Sequence, residues 1–350
     1  MEKPTNDLLQ FSILNLDKPS GPTSFNVSDF VRKKVKDFGV GKTSHFGTLD
    51  PKVTGVLPIA LGRACKLTGF FLGHNKEYIG IMHVHEEISI EKLQETINKK
   101  FLGKIMQKPP VKSNVKRELR EREIISFEIL EQDKNRDFLF KAKVQGGTYI
   151  RKLIDDLGTE LGIGAHMLEL RRTQAGIFSE TEKEFVNLYD FEKIINEINN
   201  EEVDKDVKNK IINNSIKPTS NIKDYINNKK ISEQSEPNSG QMGEQLHDIT
   251  SKNGVGLRVG AEAEQELRKI LIPAEEAIKK VFPVVQVKEN EIKKLWTGKP
   301  LFKNDIVSEI KSDDKDRFAL FHKEKFIGIY RKTNERGIFA RPEFVMQPIK

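Results

Sequence analysis

Cysteine is almost missing from this chain. Cys65 is the only one among 350 residues, so no internal disulfide can close and no thiolate zinc cluster can assemble, which suits a reducing compartment. No apolar run approaches the roughly 18 residues that span a bilayer. The opening MEKPTNDLLQ lacks the basic, then apolar, then small-residue order of a secretory signal. These absences set aside membrane-spanning and secreted proteins and leave the cell interior as the expected location. Aromatic residues are also missing from one stretch: between 196 and 268, Tyr225 stands alone amid Asn, Lys, Glu and Ser. No internal repeat is visible.

Charge is what the chain has in quantity. Charged residues make up 32% of it, with 59 basic against 52 acidic side chains and a net +7. The excess is uneven: residues 1–190 carry 30 basic and 26 acidic side chains, 191–270 carry 12 and 14, and 271–350 carry 17 and 12. A basic surface attracts polyanions by counterion release, so nucleic acid is the first partner to consider.

At about 150 residues per domain, the length predicts roughly two domains. Residues 1–195 alternate turn signals with dense apolar periods, as a packed domain should. Residues 196–268 repeat Asn199-Asn200, Asn213-Asn214 and Asn227-Asn228 in a polar background. That composition buries too little apolar surface to offset ordering entropy and reads as a mobile insert or linker. Residues 269–350 read as a small β-rich module, with short strands expected at 282–287, 305–310, 317–321 and 325–330.

Within the first segment, Gly21-Pro22-Thr23-Ser24 leads into a capped helix with Val27, Phe30, Val31, Val35 and Phe38 at helical spacing and Gly39 at its end. Strands are expected at 77–85, 124–130 and 138–144. Ile150, Leu153, Ile154, Leu157 and Leu161 mark a second amphipathic helix. Helices and strands mix without regular βαβ alternation, so the fold class is α+β.

Several residues have plain readings on spacing alone. Asp50-Pro51 is a common turn starter, Arg151 can pair with Asp155 four residues on, and Tyr78 is a packed strand aromatic. His83 and His85 share one strand face, but no third ligand stands at a metal-binding spacing.

Their joint order says more. Asn15 to Ser24 (NLDKPSGPTS), His45 to Pro58 (HFGTLDPKVTGVLP), Lys76-Glu77-Tyr78, Pro109-Pro110-Val111, Gly147 to Gly158 (GTYIRKLIDDLG) and Gly164 to Thr173 (GAHMLELRRT) resemble the TruB superfamily of pseudouridine synthases, over about residues 13–180. The short interval after the Tyr strand and the stretch Pro109 to Arg122 (PPVKSNVKRELRER) resemble the archaeal and eukaryotic dyskerin branch, the catalytic subunit of box H/ACA ribonucleoproteins. The C-terminal segment resembles a PUA domain. Phe46 stands where a small residue is commoner, Gln174-Ala175 replaces the usual pair after the double arginine, and the Asn-rich insert is longer than is usual. The lysine-rich tails of eukaryotic members are absent, so an archaeal protein is expected.

The resemblance implies a mixed, largely antiparallel sheet flanked by helices, a PUA-like RNA-binding module and no cofactor. It implies isomerisation of uridine in rRNA, and in tRNA as a further substrate, with a box H/ACA guide RNA and small companion proteins as partners. A stand-alone tRNA T-loop enzyme and a non-catalytic RNA-binding assembly protein are the rivals. The reaction cleaves the N-glycosidic bond, turns the base and rejoins it through carbon, so it asks for a nucleophile and a clamp. Asp50 is the implied nucleophile, acting at the base or the ribose. A carboxylate shut beneath a nucleobase keeps its charge only with a cation beside it, and Arg151 fits. Tyr78 is implied to stack on the flipped base, with Leu170, Tyr149, Lys66 and His45 around the pocket. RNA grip is expected from Lys104, Lys108, Lys112, Lys116, Arg117 and Arg120, and from Arg171 and Arg172.

Overall fold

The computed structural model describes residues 3–109, 116–133, 136–199, 261–307 and 316–347. The first sheet takes its strands from most of the chain: β1 Ser12–Lys18, β2 Thr43–His45, β3 Thr54–Leu61, β4 Lys76–Val84, β5 Gly103–Gln107, β6 Arg120–Asp133, β7 Asp137–Val144, β8 Ala165–Ala175, β9 Phe178–Ser179, β10 Phe185–Asn187 and β11 Leu271–Pro273. Its order is β10-β1-β3-β8-β4-β7-β6-β5, with β11 on β1, β2 on β3 and β9 on β8. Among the described residues of this sheet, only β1–β10 and β3–β8 pair in parallel. The sheet is therefore the mixed, largely antiparallel one expected, and helices α1 Thr5–Leu9, α2 Ser24–Lys34, α3 Thr68–Leu72, α4 Ile90–Lys100 and α5 Ile150–Leu161 accompany it.

Local sequence explains these elements. Along β4, Lys76, Tyr78, Gly80, Met82 and Val84 turn inward with period two, and Phe138, Phe140, Ala142 and Val144 do the same on β7. The α2 cap is reciprocal: the Asn26 amide donates to the Thr23 hydroxyl at 3.0 Å, and the Thr23 amide donates to the Asn26 side chain at 3.2 Å. In α5, Ile150, Leu153, Ile154 and Leu157 bury one face, each contributing about 1.5–3 kcal/mol of apolar burial. Gly162 ends it in the left-handed region at φ 73°.

The C-terminal sheet runs β12 Val284–Gln286, β13 Arg317–His322, β14 Lys325–Lys332 and β15 Ala340–Val345, in that order, beside α6 Ala274–Lys279 and α7 Ile292–Trp296. Alternation splits it between two cores. Phe318, Leu320, Ile327 and Tyr330 pack with Val285, Leu295 and Leu301 on one side. Ala319, Phe321, Phe326 and Ile329 join Phe11, Ile13, Phe71 and Phe178 of the first sheet on the other. Phe326 stacks on Phe11 at 5.9 Å.

Of the strand expected at 305–310, residues 308–310 lie outside the described residues; Lys303–Asp305 form a 3-10 turn whose Asp305 carboxylate accepts the Phe302 amide at 2.9 Å, and Ile306 bridges Val287. Strand β15 has no counterpart among the expected strands; it carries Pro342 at the sheet edge, where proline is tolerated. Leu271–Pro273, within the module expected from 269, pairs with β1 of the first sheet.

The chain divides into two compact units, Met1–Leu188 with Lys269–Lys350, and Tyr189–Arg268. In the second, the described residues are helical over 189–199 and 261–268, with Phe191, Ile195, Ala263 and Leu267 buried. Most of the expected insert, residues 200–260, lies outside the described residues. No helix among the described residues is long and apolar enough to cross a membrane.

Candidate active site

The loop between β2 and β3 is held from several sides. The Ser24 hydroxyl accepts the Leu49 amide at 2.8 Å and donates to the Leu49 carbonyl at 3.0 Å. The Gly21 amide donates to the Pro51 carbonyl at 2.9 Å. Buried Lys18 donates from Nζ to the carbonyls of Pro19, Pro51 and Val53 at 2.8–2.9 Å. Burial pushes the Lys18 amine below its ordinary value, and the Asp50 charge partly offsets this. NLDKPSGPTS is therefore the brace of the loop that presents Asp50.

Arg151 Nη2 donates to Asp50 Oδ2 at 2.6 Å. The alternative partner Asp155 is engaged by Lys152 at 2.9 Å instead. Both side chains of the Asp50–Arg151 pair are open, 53% and 61% exposed, so the pair adds little to folding and is placed for something else. Arg151 sits in the first turn of α5, whose Gly158 lies so close to Ala165 that a Cβ there would be 2.1 Å from its amide nitrogen. The helix is also fixed at Tyr149, whose amide donates to the Gln107 side-chain carbonyl at 3.0 Å. Gln107 is buried, and its only signal in the sequence was its place just before the Lys108-Pro109-Pro110 stretch.

Tyr78 turns inward on β4 with 6% exposure. Leu170 on β8 stands opposite Gly80, where a Cβ would meet Leu170 Cδ1 at 2.9 Å, so only glycine leaves this space. Arg172, expected to grip RNA, is instead 1% exposed. Strand alternation sends it inward while Arg171 turns out. Its Nε donates to the Val56 carbonyl at 2.8 Å and its Nη2 to the Gly47 carbonyl at 3.0 Å, and the guanidinium lies close enough to the Tyr78 phenol for the two to interact electrostatically. Arg171 is likewise committed, with Asp17 held at 3.0 Å through two nitrogens and Glu180 at 2.7 Å.

His45 pairs opposite Ile59, and burial, then the Arg172 charge, hold its ring below the usual range and neutral at pH 7. Its Nδ1 is buried without a partner among the described residues. Lys66 is exposed on the last turn of the 3-10 helix Gly62–Leu67, which packs on β1, β2 and β3. Phe46 is buried, stacked on Phe71 at 4.9 Å and tilted against Phe178 at 5.7 Å, which accounts for an aromatic residue at that position.

Lys76 is a second buried lysine, after Lys18. Its Nζ donates to the Leu72 and His74 carbonyls at 3.0 and 2.9 Å, and Cε would lie 3.3 Å from a Cβ at Gly47. Burial, then the Arg172 charge, lower its pKa to about 8 from 10.5. Below about 8 the amine is charged in both folded and unfolded chains and the fold bears its desolvation. Between about 8 and 10.5 the unfolded chain holds more protons, so stability rises with pH. Urea midpoints over this window should show wild type gaining up to about 2–3 kcal/mol relative to Lys76→Met. A pH-independent difference would refute the assignment.

Of the expected RNA-contacting residues, Lys108, Lys116 and Arg117 are exposed, and Arg120 is half-buried. Lys104 pairs with Glu121 at 3.0 Å across β5–β6, and Lys112 lies outside the described residues. The third histidine absent from the sequence spacing does arrive: His166 on β8 faces His83 and His85, with His85 Nε2 and His166 Nδ1 3.0 Å apart. Among the described residues, no group of three or more such side chains is arranged to hold a metal ion.

Residues 33–150 match the TruB family pseudouridylate synthase N-terminal domain, and residues 151–222 match the tRNA pseudouridylate synthase B C-terminal domain. A probable tRNA pseudouridine synthase B of Thermococcus onnurineus is 49% identical over 189 residues, 54% of this chain and 55% of the relative. Its counterpart in Methanopyrus kandleri is 50% identical over 179 residues, 51% of this chain and 52% of the relative. The chain thus spans about half the length of the curated relatives it matches. A solved Cbf5-Nop10-Gar1 complex contains a chain that superposes with TM-score 0.69 at 28% identity, covering 99% of this chain and 88% of that one. A chain of an H/ACA RNP bound to a substrate RNA containing 2'-deoxyuridine superposes with TM-score 0.68 at 27% identity and the same coverage.

Proposed function

Because the chain belongs to the TruB family of pseudouridylate synthases, whose two domain models together span residues 33–222, we propose that it isomerises uridine to pseudouridine in RNA. The observation that carries this reading is the open Asp50–Arg151 pair on a loop braced by Lys18 and Ser24. Asp50 supplies the nucleophile, Arg151 keeps it charged and oriented as the site closes on the base, and Tyr78 and Leu170 form the wall against which the detached base turns. Exposed Lys108, Lys116 and Arg117 and the basic C-terminal sheet, taken as a PUA-like module, hold the RNA backbone.

The guide-dependent form is favoured by full-length superposition on proteins solved within H/ACA complexes. The stand-alone tRNA form is favoured by the names of the archaeal relatives. The test is tritium release from C5-labelled uridine in rRNA fragments and tRNA, with and without a box H/ACA guide and the companion proteins named with those complexes. Release from rRNA only when the guide and companions are present is the expected result. Equal release from tRNA without a guide would establish the second form, and no release from any RNA would defeat both.

A further inference from the structure

Arg172 is a costly residue to place where it lies. A guanidinium stays charged at any working pH, and burying it exchanges water for whatever the fold supplies. No carboxylate pairs with it among the described residues, and Lys76 and His45 add like charge or its threat nearby. If the fold needed only a donor for the Val56 carbonyl, a neutral amide would serve with less desolvation. What an amide cannot do is span three chain segments at once. The planar fork donates to Val56 on β3 and to Gly47 in the loop three residues before Asp50, and it lies beside the phenol of Tyr78, its cross-strand partner on β4.

The backbone leaves this fork little freedom. Arg172 pairs with Gly55 on one side and with Tyr78 on the other, and a Cβ at Gly55 would lie 2.2 Å from the Arg172 carbonyl oxygen. Arg172 therefore leaves a strand locked between β3 and β4 and ties the loop bearing the nucleophile to the ring that is to stack on the base.

We propose that Arg172 is a positioning residue that sets Asp50 and Tyr78 at one working separation, an inference that rests on the pseudouridine synthase reading for its catalytic consequence. It contacts neither substrate nor reacting atoms; it acts through the Gly47 carbonyl and the Tyr78 phenol. Misplacing reacting groups by about 1 Å costs on the order of a hundredfold in rate without weakening binding.

The test uses the full chain with two independent measurements. Arg172→Lys keeps the charge but loses the fork, and Tyr78→Phe removes only the phenol end. Single-turnover isomerisation should fall about 30-fold or more in Arg172→Lys and less in Tyr78→Phe, with RNA affinity within about threefold for both. The double variant should be no slower than Arg172→Lys, because the two groups act as one unit. Amide exchange at residues 47–50 should quicken in Arg172→Lys while the global melting temperature stays within a few degrees. Multiplicative rate losses in the double variant, or unchanged exchange at 47–50, would overturn the proposal. If Arg172→Lys does not fold, Tyr78→Phe carries the same exchange test for the phenol end. Absence of turnover by wild type would defeat the enzymatic reading, while the exchange measurement would still decide whether Arg172 ties the loop.

Discussion

Asp50→Asn is expected to lower tritium release by at least about a thousandfold while leaving the protein folded and RNA affinity within about threefold. The substitution is isosteric, and the Asn carbonyl can still accept the Arg151 hydrogen bond now made at 2.6 Å. The loop does not depend on the carboxylate: Ser24, Gly21 and Lys18 hold Leu49, Pro51 and Val53 through backbone atoms. The side chain is about half exposed, so removing its charge changes stability little. What is lost is the anion that a neutral amide cannot replace as a nucleophile. Arg151→Lys should fall between wild type and Asp50→Asn, because a single ammonium neutralises the carboxylate but cannot orient it through a planar fork. Single-turnover rates beside RNA titrations separate these outcomes. Retained activity in Asp50→Asn would remove Asp50 from the chemistry.

Much of this site was legible from residue order, because each motif has a local task. The Thr23 cap opens α2, which closes at Val35 rather than at the expected Gly39, the apolar stripe from Ile150 to Leu157 built α5, and the loop motif delivered Asp50 to Arg151. The competition between Asp50 and Asp155 for Arg151 was not decidable from helical spacing, since Lys152 reaches Asp155 and Asp156 from the same turn. The Arg171-Arg172 pair misled for a different reason. Charge suggests that both point outward, whereas a strand sends neighbours to opposite faces, and only tertiary contacts reveal that the inward one finds two carbonyl acceptors. Lys18 and Lys76 were hidden likewise, because a buried lysine satisfied by carbonyls looks in sequence like any surface lysine. The pairing of Leu271–Pro273 with β1 joins residues more than 250 positions apart, which local pattern does not encode.

Gly55→Ala should be among the most destabilising single substitutions in the chain, costing more than about 4 kcal/mol for the addition of one methyl group. Two independent constraints meet there. The backbone has φ +99°, a conformation that L side chains adopt only with strain. The new Cβ would also fall 2.2 Å from the Arg172 carbonyl oxygen and 2.9 Å from its nitrogen, which are backbone atoms of a central strand and cannot rotate away. Relief requires β3 and β8 to part at their short parallel pairing, Thr54 with Arg171 and Gly55 with Arg172. That movement would draw the guanidinium away from Gly47 and Tyr78, so any residual folded protein should also lose isomerisation activity. Gly69→Ala is the matched control: it lies in α3 with an ordinary φ and nothing within 4 Å of its Cβ position, so its effect should be neutral or stabilising by up to about 1 kcal/mol. Urea unfolding of the two variants beside wild type decides the matter, and a Gly55→Ala protein within about 1 kcal/mol of wild type would mean that the β3–β8 contact is not the rigid frame of the site.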